Sequence, residues 1–293
     1  MSLSGSREER TMADLSNKVI VTVAQTGAIT MKKQNANLPE QPEEIAASAL
    51  ACYNEGAAVV HIHARDKDGG NTSDVAVFKD IHKRIRDVCP IVIEDSTGGG
   101  PNLTQEQRLE CLQAGPEMAS LNMGTMMRIS GQWKGIPWSN MPEEIDWYLG
   151  RMNELGVKPE LEVYSHSMMR EVYSIVERGI LKPPYYIDIV LGMRYQGACD
   201  ASPKIFAQIA DLMPPGTIIN CAAVGRDQVG MTTLSILMGG HARVGLEDNV
   251  YYGKGDLATN ARLVARTVRI IRELGKEPAT PAEAREILGL KPL

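Results

Sequence analysis

Two histidines one residue apart, His61 and His63, follow an apolar run and lead into Arg65-Asp66-Lys67-Asp68. The chain has five histidines, so two of them fall in a single tripeptide. Residues i and i+2 of an extended strand share a face, which would present both imidazoles in parallel at the strand's carboxyl end. Two readings stand for the pair. It ligates a borderline divalent ion such as zinc, which imidazole suits, or it fills a barrel layer through hydrogen bonds alone. A metal would need a third ligand from a separate strand, because two ligands on one strand do not complete a tetrahedral site. Glu247 is the candidate, within Arg243-Val244-Gly245-Leu246-Glu247-Asp248-Asn249. Two histidines and a glutamate leave open positions on zinc, as catalysis requires. The other reading of Glu247-Asp248 is a solvated acidic loop end.

Further polar groups gather at points where strands should end. Arg243 could clamp a carboxylate or lower the pKa of a neighbouring acid, or form an ion pair at a barrel rim. Ser96-Thr97-Gly98-Gly99-Gly100 can offer hydroxyl and backbone N–H donors to an anion, or be no more than a tight turn. Glu162, Asn122, Gly124 and Thr125 complete the group. His82, flanked by Lys79, Lys83 and Arg84, is expected on a helix surface. His241, opening a late strand, is expected in the core or at the bottom face, and His166 at the mouth against substrate.

The elements that must position these residues alternate between short β-rich runs and longer amphipathic ones. Strands are expected at 18–24, 59–63, 91–93, 118–122, 160–163, 186–191, 217–222 and 241–244. Helices are expected at 42–55, 75–88, after Thr104, and at 143–155, 168–178, 204–212, 231–238 and 257–274, with a last short one after Thr280. Pro42 suits a first helical turn, Phe78, Ile81 and Ile85 form one apolar stripe, and Thr104-x-x-Gln107 is a capping box. Eight strands each followed by a helix read as an α/β fold, a single (β/α)8 TIM barrel with extra C-terminal helices. No GxGxxG turn follows the first strand and no P-loop occurs, which argues against a doubly wound dinucleotide fold. The barrel domain is expected over 18–293, with 1–17 as a disordered leader or expression scar.

Bulk properties narrow the function class. With 43% hydrophobic and 23% charged residues the 293-residue chain has the composition of a globular protein. A formal charge of −5 and pI near 5.7 exclude the basic footprint of a nucleic-acid binder. No apolar run is long enough to span a bilayer. Five scattered cysteines without a CxxC pair fit a reducing compartment and packing roles, so the expected location is cytoplasmic.

Taken together these stretches resemble the β-keto acid cleavage enzymes, the family of 3-keto-5-aminohexanoate cleavage enzyme, from about Lys18 to Leu288. The resemblance rests on Thr26-Gly27-Ala28, His61-x-His63-x-Arg65-Asp66, Ser96-Thr97-Gly98-Gly99, Lys158-Pro159-Glu160-x-Glu162-Val163, Gly225-Arg226-x-Gln228 and Gly239-Gly240-His241-x-Arg243 through Asn249. It implies a zinc-bearing barrel, usually a homotetramer, that acts on a β-keto acid with acetyl-CoA as co-substrate. Acetoacetate would leave, and the rest of the keto acid would become a new acyl-CoA. By motif, His61, His63 and Glu247 would bind zinc, Asp248 would be the acid/base group, and Arg243 would tune and orient it. Ser96 and its Gly-rich neighbours would hold the substrate carboxylate, with Glu162 supporting the site. Zinc would polarise the 3-keto group and acidify C2. The enolate would attack the acetyl thioester, and released CoA would then cleave the adduct in a retro-Claisen step.

Two departures bear on the substrate. The member acting on the amino-substituted acid carries an acidic residue after Thr-Gly-Ala, where this chain has Ile29, and many members carry Asp where Ser165 stands. Loss of a carboxylate leaves an ammonium without a partner, so the expected β-keto acid is neutral or partly apolar. Rival functions are a metal-dependent aldolase, which needs no thioester, and a non-catalytic zinc-containing barrel that binds a small molecule.

Overall fold

The computed structural model describes residues 15–131 and 133–293. Eight strands form its main sheet: β1 (Val21–Ala24), β2 (Val59–Ile62), β3 (Val92–Ser96), β4 (Met118–Asn122), β5 (Lys158–Val163), β6 (Tyr185–Leu191), β7 (Thr217–Ala223) and β8 (Ala242–Val244). Each is followed by a helix: α1 (Pro42–Asn54), α2 (Val75–Val88), α3 (Gln105–Arg108), α4 (Pro142–Leu155), α5 (Met169–Glu177), α6 (Pro203–Ala210), α7 (Gln228–Leu237) and α8 (Asn260–Glu273). The spatial order runs β7-β6-β5-β4-β3-β2-β1-β8, with every pairing parallel. Between β7 and β8 the ring closes on a single backbone bond, His241 N to Ile219 O at 2.8 Å. The expected (β/α)8 barrel is therefore present, nearly closed.

Local chemistry accounts for the element ends. Thr104 and Gln107 cap each other reciprocally at 3.2 and 2.9 Å, although α3 is a single turn that continues as a 3-10 segment, Glu110–Ala114. Thr280 and Glu283 do the same at the start of α9 (Pro281–Leu288). The first predicted strand is split. Lys18–Val19 leave the barrel to pair with Glu277–Pro278, and only Val21–Ala24 enter it. The leader expected over 1–17 lies outside the described residues except for Leu15–Asn17, which form one 3-10 turn.

His82 corrects a sequence expectation. It is 7% exposed, with Nε2 2.8 Å from Asp95 Oδ1. Phe78, Ile81, His82 and Ile85 follow i, i+3, i+4, i+7 spacing, so His82 lies on the buried stripe while its basic neighbours point outward. His241 sits in the core as expected, its Nδ1 accepting the Ile20 N–H at 3.1 Å.

Helix α9 closes the amino-terminal end of the barrel. Ala284 and Leu288 pack with Ile20, Val59, Val92, Met118 and Tyr186 into a second apolar cluster at the strand starts. Arg285 fastens the helix to Glu117 at 2.6 and 3.0 Å. Among the described residues no helix is long and apolar enough to cross a membrane. Because Leu288 is fully buried in this plug, Leu288→Ala should lower unfolding free energy by about 2–5 kcal/mol, measured by denaturant titration.

Candidate active site

At the opposite end, sheet order and one glycine bring the separated motifs together. Strand β1 lies between β2 and β8, pairing Ala24 with His61 and Thr22 with Arg243. Gly245 lets the chain after β8 fold against β1: its φ is +149°, and a Cβ there would lie 1.9 Å from Ala24 O. The Glu247 N–H then reaches Ala24 O at 3.2 Å. A second glycine, Gly27 (φ +72°), makes room for the Glu247 side chain, whose Cγ would lie 2.6 Å from any Cβ added there.

The outcome is a tight group of three potential metal ligands. One donor atom each from His61, His63 and Glu247 lies within 4.8 Å of the others. His61 Nε2 is 3.8 Å from Glu247 Oε2, and His63 Nε2 is 3.5 Å from Glu247 Oε1. Burial, assisted by Arg243, pushes the His61 pKa down to about 3, so that imidazole is neutral with a lone pair to give. Burial works to raise Glu247, but Arg243 and the two imidazoles outweigh it and hold it well below the usual carboxylate range. Glu247 Oε2 is buried without a hydrogen-bond partner. The neutral His61 imidazole, the His63 ring beside it, an ionised carboxylate and an orphaned oxygen fit a divalent cation.

Arg243 is the hub of the charges. Its Nη2 meets Glu247 Oε1 at 2.7 Å, Nη1 meets Glu162 Oε1 at 3.1 Å, and Nε meets Asp248 Oδ2 at 3.3 Å. Glu160 and Asp188 stand 3.9 Å from Nη1. Burial opposes the arginine's charge, and these carboxylates overcome it. Asp248 is pushed up to about 7, mainly by burial and against the pull of Arg243. Deeper in the barrel, burial raises Glu94 to about 8 and Glu160 and Asp188 well above the carboxylate range. Burial thus favours the protonated form of the lower acids, and Asp248 is poised between its two states.

A cavity of about 420 Å³ opens over this group. Its lining includes His63, Glu162, Arg243, Glu247 and Asp248, together with Ser96, Gly98 and Ile29 from the expected substrate contacts. Other predicted contacts sit elsewhere. Thr97 is turned into the wall, donating to Ser120 O at 2.6 Å. Gly99 is a turn residue against Arg108 and Leu103, and Gly124 lies against Met168. Thr125 Oγ1 accepts the Asn140 N–H at 3.1 Å on an exposed loop. Asn122 is buried just outside the lining, its amide atoms without partners. His166 faces Cys199 Sγ at 3.7 Å and Ser165 bonds Ser167 at 2.9 Å, both away from the lining. Of the two departures, only Ile29 reaches the cavity.

Several residues were missed from sequence. Arg65, in the histidine motif, holds the loop bearing Ile29 by donating to Gly27 O at 2.5 Å and Thr30 O at 3.0 Å. Glu160 shares the inward face with Glu162 by simple alternation, a signal available beforehand. Arg128, Trp138 and Tyr195 form the far wall, with Arg128 lying over both rings. They come from a three-stranded sheet joining 126–128, 137–138 and 195–196, whose long-range pairing left no local signal.

Comparison with known proteins places this geometry in context. Residues 18–290 match the sequence model of the beta-keto acid cleavage enzymes. A 3-keto-5-aminohexanoate cleavage enzyme of Fusobacterium nucleatum is 40% identical over 276 residues, covering 94% of this chain and 98% of that one. A 3,5-dioxohexanoate:acetyl-CoA acetone transferase of Paraburkholderia graminis is 35% identical, covering 94% and 96%. A 3-oxoadipate:acetyl-CoA acetyltransferase of Cupriavidus necator is 32% identical, covering 92% and 94%. Among solved structures, apo ObcA superposes with a TM-score of 0.73 at 19% identity over 87% of this chain and 66% of that one, a likeness of fold.

The crowding at Gly27 makes a local test. Gly27→Ala should cost roughly 1–3 kcal/mol for its left-handed backbone and displace Glu247, weakening uptake of a divalent ion in chelator competition.

Proposed function

The chain belongs to the beta-keto acid cleavage enzyme family, and on that premise we propose that it is a zinc-dependent transferase condensing a β-keto acid with acetyl-CoA and releasing acetoacetate and a new acyl-CoA. The observation that carries this reading is the convergence of His61, His63 and Glu247 with the Arg243-held Asp248 at the floor of one cavity. His61, His63 and Glu247 would hold the zinc, which when bound supplies a Lewis acid for the 3-keto oxygen. Relatives named for acetyl-CoA transfer support the co-substrate.

The chain's own groups account for the rest. Asp248, with a pKa of about 7, suits general acid–base work near neutral pH and takes a proton from C2. The carbanion adds to the acetyl thioester and expels CoA as thiolate. That thiolate adds to C3, the C2–C3 bond breaks, and Asp248 returns the proton to C2 of acetoacetate. Arg243 fixes the Asp248 carboxylate through Nε. The Ser96 hydroxyl accepts from Gly98 N at 3.1 Å and keeps its own hydrogen for the substrate carboxylate. Glu162, bonded to Arg243 and Tyr164, keeps the guanidinium aligned.

The distal part of the keto acid meets Ile29, Val190, Met193, Trp138 and Tyr195. Among the described residues the carboxylates in the lining are Glu162, Glu247 and Asp248, all three bonded to Arg243. A distal ammonium would find no free acid, and its desolvation would go uncompensated. The substrate is therefore a β-keto acid with a neutral or apolar distal end, although two relatives are named for an amino-substituted keto acid.

Two experiments bear on this reading. Asp248→Asn should cut turnover by about 10²–10⁴-fold while zinc content and substrate binding stay near wild type; an unchanged rate would remove Asp248 from the mechanism. Steady-state rates over a panel of β-keto acids should favour neutral distal groups, with Ile29→Glu shifting preference toward an amino-substituted acid. A wild-type preference for the amino compound would refute the substrate assignment.

A further inference from the structure

Behind the proposed metal ligands lies a carboxylate that the mechanism above leaves without a task. Glu94 is on β3, in register with His61 on neighbouring β2, and both side chains face the barrel interior. Glu94 Oε2 stands 3.6 Å from His61 Nδ1, the ring nitrogen turned away from Glu247. Both residues are sealed from solvent, at 0% and 1% exposure. His61 Nδ1 has no hydrogen-bond partner, and Glu94, whose carboxyl meets that of Glu160, has no partner nitrogen.

We propose that Glu94 is the positioning residue of the site: a Glu94 oxygen that carries no proton receives the Nδ1–H of His61, fixes that ring's tautomer and turns the Nε2 lone pair toward Glu247 and His63. The inference rests on the metal reading of those three residues. An imidazole that ligates through one nitrogen needs an acceptor for the proton on the other, and a buried N–H left unpaired is costly. The present 3.6 Å separation is longer than a hydrogen bond and closes to one with a movement of roughly 0.5–0.7 Å. Glu94 is itself confined, since Glu160 lies behind it with donor atoms of His61, Glu94 and Glu160 all within 4.8 Å. Asn220 Nδ2 in turn holds Glu160 Oε1 at 3.3 Å.

Zinc affinity, measured by competition with a chromogenic chelator, tests the assignment in wild type, Glu94→Ala and Glu94→Gln, alongside thermal melts of the same preparations. Glu94→Ala should bind zinc about 10–100-fold more weakly, and Glu94→Gln, which keeps an acceptor oxygen, should recover most of that loss. Equal affinity in Glu94→Ala and wild type overturns the proposal. Should the alanine variant not fold, 15N imidazole NMR of the zinc-loaded wild type decides: a proton on His61 Nδ1 is the expected result, and a proton on Nε2 overturns it. Wild type that takes up no zinc overturns the metal reading along with this one, whereas zinc-binding wild type with an indifferent Glu94 overturns this one alone.

Discussion

One buried guanidinium governs the upper half of this barrel. Arg243, 3% exposed, bonds Glu162, Glu247 and Asp248, with Glu160 and Asp188 close by. Burying so many carboxyls around one cation is tolerable only where the others take up protons. The result is a graded set: Arg243 favours the ionised form of Glu247, Asp248 is raised to about 7, and burial favours the protonated form of the deeper acids. Adjacent residues on one turn thereby acquire opposite characters, a ligand candidate at 247 and a candidate proton carrier at 248. Removal of Arg243 would leave both without their counterion, so its loss would reach well beyond a single contact.

A second organising device is the loop after β1. Arg65 and Asn71 grip its carbonyls, Gly27 yields space to Glu247, and Thr30 bonds Glu247 O at 3.1 Å. The segment that presents Ile29 to the distal cavity is thus tied to the segment that presents the metal-ligand candidate. Specificity and chemistry share a scaffold here, and the side chain at 29 can change while the backbone around it stays fixed.

Much of the architecture was legible from sequence because periodicity and caps are local. The β4 and α2 boundaries were read as 118–122 and 75–88 and agree with the structure. His61 and His63 stood out through i, i+2 spacing, and Glu247 as an acid just beyond a separate strand. What escaped detection depends on packing. His82 was judged by its charged neighbours when its place on the Phe78 stripe was decisive. Glu94 and Asp188 lie in barrel strands buried on both faces, where no hydrophobic alternation marks the inner side. Asp188, alone among the apolar residues of β6, was the visible anomaly. Arg128, Trp138 and Tyr195 meet only through pairing across long stretches of chain.

The α9 plug has a consequence for traffic. With Leu288 and Ala284 packed under Ile20, Val59 and Tyr186, the barrel is, among the described residues, a chamber with one door. Ile29 and Tyr251 line the cavity at that end, and what enters there also departs there. For a reaction joining a small acid to a bulky thioester, one door imposes a sequence: the small partner must settle inside before the large one stands across the opening, and the large product must withdraw before the small one can follow.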